Sequence, residues 1–292
     1  MADQPVTSAF ATSATENDVI LSIVQDELLR EAKLRPTVID LSSQVSKGDK
    51  SVSVPKFSAS FAGPAAQNPD GLTATEYQSP TFDVDTIDLD KWQTLPYRVP
   101  DRVSMQTKMP LEAELARSAG QQMGIYVDDQ IIAQLRLAST ATPDHNIDLD
   151  GSAASGSATA LTLEGISKAR ELLNRQNLPS SDRWLVIPPE LEKDLIDLDQ
   201  FRNADKYGSR EAILEGEIGK IYGFRVMVHN GLNANEACAY HRSAVGIAMQ
   251  MEIKFETQRA EVTLQATDYA FSLGMGDTVM DGGRRQVYMV GA

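Results

Sequence analysis

Three histidines, one cysteine and two acidic runs are the side chains whose types could do chemistry. His145, His229 and His241 sit in different sequence contexts, and no two share the short spacing of metal ligands. Cys238 is the only cysteine, so no internal disulfide forms. A reactive cysteine must be a thiolate, which basic neighbours favour. None flanks Cys238, and a buried structural thiol is expected.

Asp144 to Gly151 opens like a calcium-binding loop. Its glycine falls at the eighth position rather than the sixth, and Ser155 stands where the closing Glu belongs. The run reads as a solvated acidic turn. Asp83, Asp85, Asp88 and Asp90 form a second acidic stripe, with Asp83 and Asp85 on one strand face. That face meets either water or the lysines of a neighbouring molecule. The glycines between Glu215 and Phe224 lack the Gly-Lys-Ser/Thr of a phosphate loop, and they suit tight turns between short strands. Neither a Ser-His-Asp set nor a Gly-x-Ser-x-Gly elbow stands out. No catalytic, cofactor-binding or metal-binding residue is therefore expected, and a soluble α+β enzyme is the weakest reading.

The bulk numbers agree with that. With 292 residues, 42% of them hydrophobic, the chain can bury a sizeable core. A net charge of -14 makes its surface repel nucleic acid on average. No Lys or Arg precedes Arg30, which argues against a secretory signal or a basic arm. No apolar run approaches the roughly 18 residues of a membrane helix, so no membrane partner is expected. The expectation is a soluble protein made in a reducing cytoplasm.

Residues 1–16 lack helical periodicity. From Asn17 to Leu34 an apolar stripe of Val19, Ile20, Ile23, Val24 and Leu28 predicts a helix that Pro36 ends. Residues 45–100 alternate at both ends around a turn-rich tip, Gly63 to Leu72. This reads as a long polar β-excursion, marginal by itself in water and in need of support from another subunit. Leu111, Leu115, Ala119, Met123, Val127, Ile131 and Leu135 recur every fourth residue and predict a helix from Pro110 to Ala138. Such length suits the spine of an elongated subunit. A Ser/Ala/Thr/Gly/Asp linker covers 139–160. An α+β lobe follows, with helices at Leu163–Leu173 and Glu190–Leu198 and strands at Trp184–Ile187, Ile221–Val228 and Ala237–Met251. Glu261–Leu264, Tyr269–Phe271 and Val287–Val290 predict a β-rich end.

One stretch carries a family resemblance. Pro188-Pro189-Glu190-Leu191 leads to a helix, then Phe201-Arg202-Asn203-Ala204-Asp205, then Gly208. Gly216-Glu217-Ile218-Gly219-Lys220-Ile221-Tyr222-Gly223-Phe224-Arg225-Val226 follows. This order is similar to the axial domain of tailed-bacteriophage major capsid proteins with the Hong Kong 97-type fold. The order of arm, excursion, spine helix, mixed lobe and β-rich return extends the likeness over nearly the whole chain.

The resemblance implies an α+β fold in named parts. Residues 1–44 form an N-terminal arm and 45–100 an extended loop. Residues 101–139 and 251–275 form a peripheral domain, and 140–250 with 276–292 an axial domain. It implies self-assembly through pentamers and hexamers into an icosahedral virion capsid, built in the host bacterial cytoplasm. DNA is packaged inside without sequence-specific binding. A portal, a separate scaffolding protein and decoration proteins are the implied partners. The separate scaffold follows because only about 16 residues precede the first helix. Some relatives cross-link Lys to Asn, but no motif beside Lys47, Lys50 or Lys56 identifies a partner, so cross-linking is not expected. An encapsulin-like compartment shell, which shares the fold, is the alternative.

Overall fold

The computed structural model describes residues 20–28, 31–58, 81–106, 111–137, 143–153, 156–158, 160–197, 219–260 and 265–292. Helix α1 (residues 20–28) buries Ile20, Val24 and Leu28, the apolar stripe expected of it. Helix α2 is Asp101–Gln106 and helix α3 is Leu111–Arg136. The 26 residues of α3 span about 39 Å. Ala119, Met123, Val127, Ile131 and Leu135 are buried along it, as their spacing predicts, and Leu115 is half-buried. Residues 111 and 112 have side chains outside the description.

A second stripe on α3 seats α1. Ala116, Gly120, Gly124 and Asp128 follow at four-residue intervals and are all buried. A Cβ on Gly120 would lie 2.7 Å from the Val24 carbonyl oxygen, and one on Gly124 would lie 2.8 Å from Glu31 Cβ. The missing side chains let the two backbones approach.

Among the described residues three sheets complete the fold. Strands β1 (Ile39–Asp40), β4 (Lys91–Pro100), β10 (Val245–Arg259) and β11 (Ala266–Val279) form a long sheet in the order β1-β10-β11-β4. β10 and β11 pair antiparallel from Val245↔Val279 to Arg259↔Thr267, with bulges near Met251. One face turns Leu95, Tyr97, Phe255, Tyr269 and Phe271 toward the core that α3 shares. Phe255 and Phe271 stack with centroids 4.8 Å apart, and Tyr97 meets Phe271 edge-on.

The second sheet has the order β5-β12-β9-β6-β8-β7. Its strands are β5 (Asn146–Asp148), β6 (Arg183–Ile187), β7 (Lys220–Ile221), β8 (Phe224–Val228), β9 (Glu236–His241) and β12 (Gln286–Val290). Alternation along the strands splits it between two cores. Leu185, Ile187, Ala239 and Met289 face helices α4 (Leu163–Arg175) and α5 (Pro189–Asp197). Val186, Cys238 and Tyr240 join the core of α1 and α3. Thr162 caps α4 by accepting the Gly165 N–H. Tyr222 and Gly223, both at positive φ, make the two-residue turn between β7 and β8. This is the part of the glycine-rich motif that lies among the described residues. Residues 201–218, which carry the rest, lie outside them, as do the expected arm segment 1–16 and strand Glu261–Leu264.

The third sheet is a hairpin, β2 (Ser51–Ser58) with β3 (Thr81–Asp88), paired from Ser51↔Asp88 to Ser58↔Thr81.

Several boundaries differ from the sequence expectation. Residues 91–100, expected in the extended loop, are β4 and pair with β11. Their inward Leu95, Tyr97 and Val99 complete the aromatic face of the long sheet. That sheet also takes residues 245–250 and 276–279, expected in the axial domain. The expected linker 139–160 contains a 3-10 turn, Pro143–His145, and strand β5 with Ile147 buried. The first helix was expected to run to Leu34 but gives way earlier. There the Lys33 and Leu34 N–H groups turn to the Asp128 carboxylate.

Alanine at an exposed helical glycine stabilises by about 1 kcal/mol. At Gly120 the sign is expected to reverse. Gly120→Ala should lower unfolding free energy by about 1–3 kcal/mol in chemical denaturation, as overpacking does. An unchanged or raised stability would show that α1 is not held against α3.

Candidate assembly surfaces

Asp128 is fully buried on α3. One carboxylate oxygen accepts the Leu34 N–H at 3.1 Å. The other accepts the Lys33 N–H at 2.9 Å and lies 2.9 Å from His229 Nε2. His229 Nδ1 accepts the Gly231 N–H at 3.0 Å, so the ring proton sits on Nε2 and faces Asp128. One carboxylate thus ties the arm, the spine helix and the end of β8.

A second tie lies at the C-terminal end of α3. Arg136 donates to Glu236 through Nη2 at 2.7 Å, and Tyr288 Oη and Asn233 Nδ2 each reach its other oxygen at 2.7 Å. Burial opposes ionisation of Glu236, but bonds from Tyr288, Arg136 and Asn233 outweigh it and hold the carboxyl below its ordinary range. Cys238 is buried beside it, and burial pushes its thiol up to about 12. Lys91 of β4 meets the buried Asp277 of β11 at 2.6 Å and donates to Gln130 of α3, also at 2.6 Å.

The hairpin is fixed at its root. Val52, Ile87 and Leu89 are buried with Ala248 of β10 and Met280. Above them Lys56 Nζ lies 3.1 Å from Asp83, 3.0 Å from Asp85 and 3.5 Å from Asp281. The Asp281 N–H donates to Asp85 at 3.0 Å. Asp83 and Asp85 do share a face, and the lysine they meet is on the partner strand of their own hairpin. Val84, between Asp83 and Asp85 on the opposite face of the strand, is exposed.

Large apolar side chains also face solvent elsewhere. Trp92 is 55% exposed, with its ring over Gly274 on the outer face of the long sheet. Ile125 and Leu137 are exposed on and just after α3, and Tyr222 at the β7–β8 turn. Scattered exposure is ordinary, but a Trp on a flat sheet face is the residue type that anchors protein contacts.

Comparison with known proteins shows the family and the fold. A family model described as phage capsid protein matches residues 27–282. The chain belongs to this family. Solved capsid structures share its fold. The capsid of cyanophage P-SCSP1u matches with a TM-score of 0.70 at 19% identity, covering 88% of this chain and 86% of that one. A chain of Mycobacterium phage Che8 matches with a TM-score of 0.67 at 18% identity, covering 87% and 89%. The cyanophage Pam1 capsid matches with a TM-score of 0.69 at 11% identity, covering 89% and 92%. A search of curated proteins finds no match. The fold is the Hong Kong 97 type, and the protein is a phage major capsid protein, a structural component of the shell.

In this capsid protein the chemically capable residues serve the fold. His145 is buried and its Nδ1 donates to the Gln286 carbonyl at 2.8 Å. His241 Nδ1 accepts the Ser243 N–H, and burial, with Arg183 and Arg285 nearby, lowers its pKa. The acidic turn at 144–151 is not solvated throughout. Asp148 is buried and accepts the N–H groups of Gly156 and Ser157, whereas Asp150 binds Ser152. Among the described residues no three His, Cys, Asp or Glu side chains are grouped to hold a metal. Sequence reading missed Asp128, Glu236 and Trp92, and weighed Lys56 only for cross-linking. A carboxylate in register with Ala116, Gly120 and Gly124 was the one available signal.

Replacing Asp128 with Ala leaves two arm N–H groups and His229 without their acceptor. A loss of about 3–5 kcal/mol is expected, with faster hydrogen exchange at Lys33 and Leu34. Glu236 gives a pH test. Its folded pKa is depressed, so its stabilisation is complete above the unfolded value of about 4.3 and disappears as pH falls through the lower folded value. The parent's melting temperature should therefore fall more steeply in acid than that of Glu236→Gln. Parallel curves would rule this out.

Proposed function

We propose that the chain is the repeating tile of an icosahedral shell, assembled through pentamers and hexamers around packaged double-stranded DNA. The carrying observation is the β2–β3 hairpin. It has eight residues in each strand, and among its described side chains the buried ones, Val52 and Ile87, lie at the root. A two-stranded ribbon is marginal alone, so its outer part needs a surface to rest on, and a second copy supplies one. The hairpin is the core of the extended loop. The long sheet with α3 acts as the peripheral domain and the six-stranded sheet with α4 and α5 as the axial domain. Residues 1–44 act as the arm.

Closed rings with many weak contacts raise the effective concentration of each later contact. The positive φ of Gly48 gives the chain a bend before β2 that adapts the loop to different neighbours. A net charge of -14 suits a wall that holds DNA without sequence-specific binding. A separate scaffolding protein and a portal complete assembly in the host bacterial cytoplasm, and decoration proteins have the outer faces available. The subunit acts structurally, without a cofactor and without turning over a substrate.

Electron microscopy of the purified chain, alone and with its scaffolding protein, tests this. Shells or rings are expected. Trp92→Ala should reduce shell yield while changing subunit stability by less than about 1 kcal/mol. Absence of closed assemblies under both conditions would overturn the proposal.

A further inference from the structure

The turn after β8 holds an arrangement that assembly does not require. His229 is followed by Asn230 and Gly231, the single Asn-Gly pair in the sequence. The Asp128 carboxylate holds the Nε2 proton of His229 at 2.9 Å, and the free lone pair of Nδ1 faces the Gly231 N–H at 3.0 Å. This is the carboxylate–imidazole order that activates a nucleophile in hydrolases, here aimed at a backbone amide. Asp129 also lies within electrostatic reach of the ring. Asn230 is exposed on the wall of an open cavity of about 370 Å³, which gives water access. A Cβ at position 231 would lie 2.7 Å from Ile132 Cδ1 and 3.0 Å from His229 Nδ1, so glycine is the residue that fits here without moving those side chains.

We propose that Asn230 is a self-modification site at which the Asp128–His229 pair drives conversion of the amide to aspartate and isoaspartate. His229 Nδ1 removes the Gly231 N–H proton as the Gly231 nitrogen bonds to Asn230 Cγ. The imidazolium then gives that proton to Asn230 Nδ2, the Cγ–Nδ2 bond breaks and ammonia leaves. A five-membered succinimide remains. Water adds to one of its two carbonyl carbons and breaks that carbon's bond to the Gly231 nitrogen. Attack at Cγ leaves an aspartate, and attack at the Asn230 backbone carbonyl leaves an isoaspartyl linkage. One water is consumed, one ammonia is released and nothing is oxidised or reduced. His229 is the catalytic residue, and Asp128 positions it. The product places a third carboxylate beside Asp128 and Asp129, so the modification loosens the joint between arm, spine helix and small lobe as the protein ages.

Peptide mapping by mass spectrometry, with isoaspartate detection, tests this on the full chain held at neutral and mildly alkaline pH. The reference is a synthetic peptide of residues 225–236, in which nothing positions the ring. Asn230 in the folded chain should convert at least about tenfold faster than in the peptide, the low end for a positioned base. The rate should fall in acid, where a histidine base is lost. His229→Gln keeps an acceptor but cannot shuttle a proton, and should bring the rate to the peptide's or below. Asp128→Asn should displace the pH profile. The profile of the parent chain does not depend on how the variants fold. If Asn230 in the folded parent converts no faster than in the peptide, or at a rate that ignores imidazole titration, the bond to His229 clamps the amide and the proposal is wrong.

Discussion

The Asp128 carboxylate must be satisfied, because it is buried at the centre of the subunit. An ionised group there without partners is expensive, and the two backbone N–H groups and one imidazole around it come from three separate parts of the chain. The arm cannot leave α3, nor the β8 end shift, without exposing that cost. Gly120 and Gly124 make the arrangement possible, because α1 must lie close to α3 for Lys33 and Leu34 to reach the carboxylate. Polar satisfaction and close packing therefore specify the same geometry.

The rest of the molecule follows from that joint. The aromatic face of the long sheet and one face of the six-stranded sheet share the core along α3. The spine is pinned at its C-terminal end by Arg136 and Glu236, and less than two turns earlier by Gln130 through Lys91 and Asp277. These ties are partly or wholly buried, so salt screens them less than it would surface pairs. The body is rigid enough to serve as a tile.

Much of the fold was legible in the sequence. A four-residue repeat from Leu115 to Leu135 can only be satisfied by a long half-buried helix, and the strands at Trp184–Ile187 and Val287–Val290 are dense apolar runs. The β4 assignment was not legible, because Leu95, Tyr97 and Val99 show alternation without saying which sheet completes it. Pairing over more than 160 residues of sequence is set by the matching face of β11, and local pattern carries no record of it. Asp128 was hidden for a related reason. A carboxylate in an apolar stripe looks like a solvent-facing position until its partners arrive from residues 33, 34 and 229. Lys56 is the same case, since its three carboxylates lie 27, 29 and 225 positions away along the chain.

The hairpin shows how such a body depends on its neighbours. Its root has what a stable element needs: apolar side chains under the Val52↔Ile87 pair and a charge cluster that ties it to the turn at Asp281. On the opposite face of the same strand Val84 is exposed, and ladder hydrogen bonds are nearly balanced by the bonds the same groups make with water. A ribbon anchored at one end has its direction set by the subunit but most of its stabilisation still to be found. Lys56 is only partly exposed, so the direction persists in salt, whereas in the proposed shell the contacts along the ribbon are the weak and reversible ones. That division favours closed shells: subunits in wrong positions can detach, and those in a completed ring are held by many contacts at once.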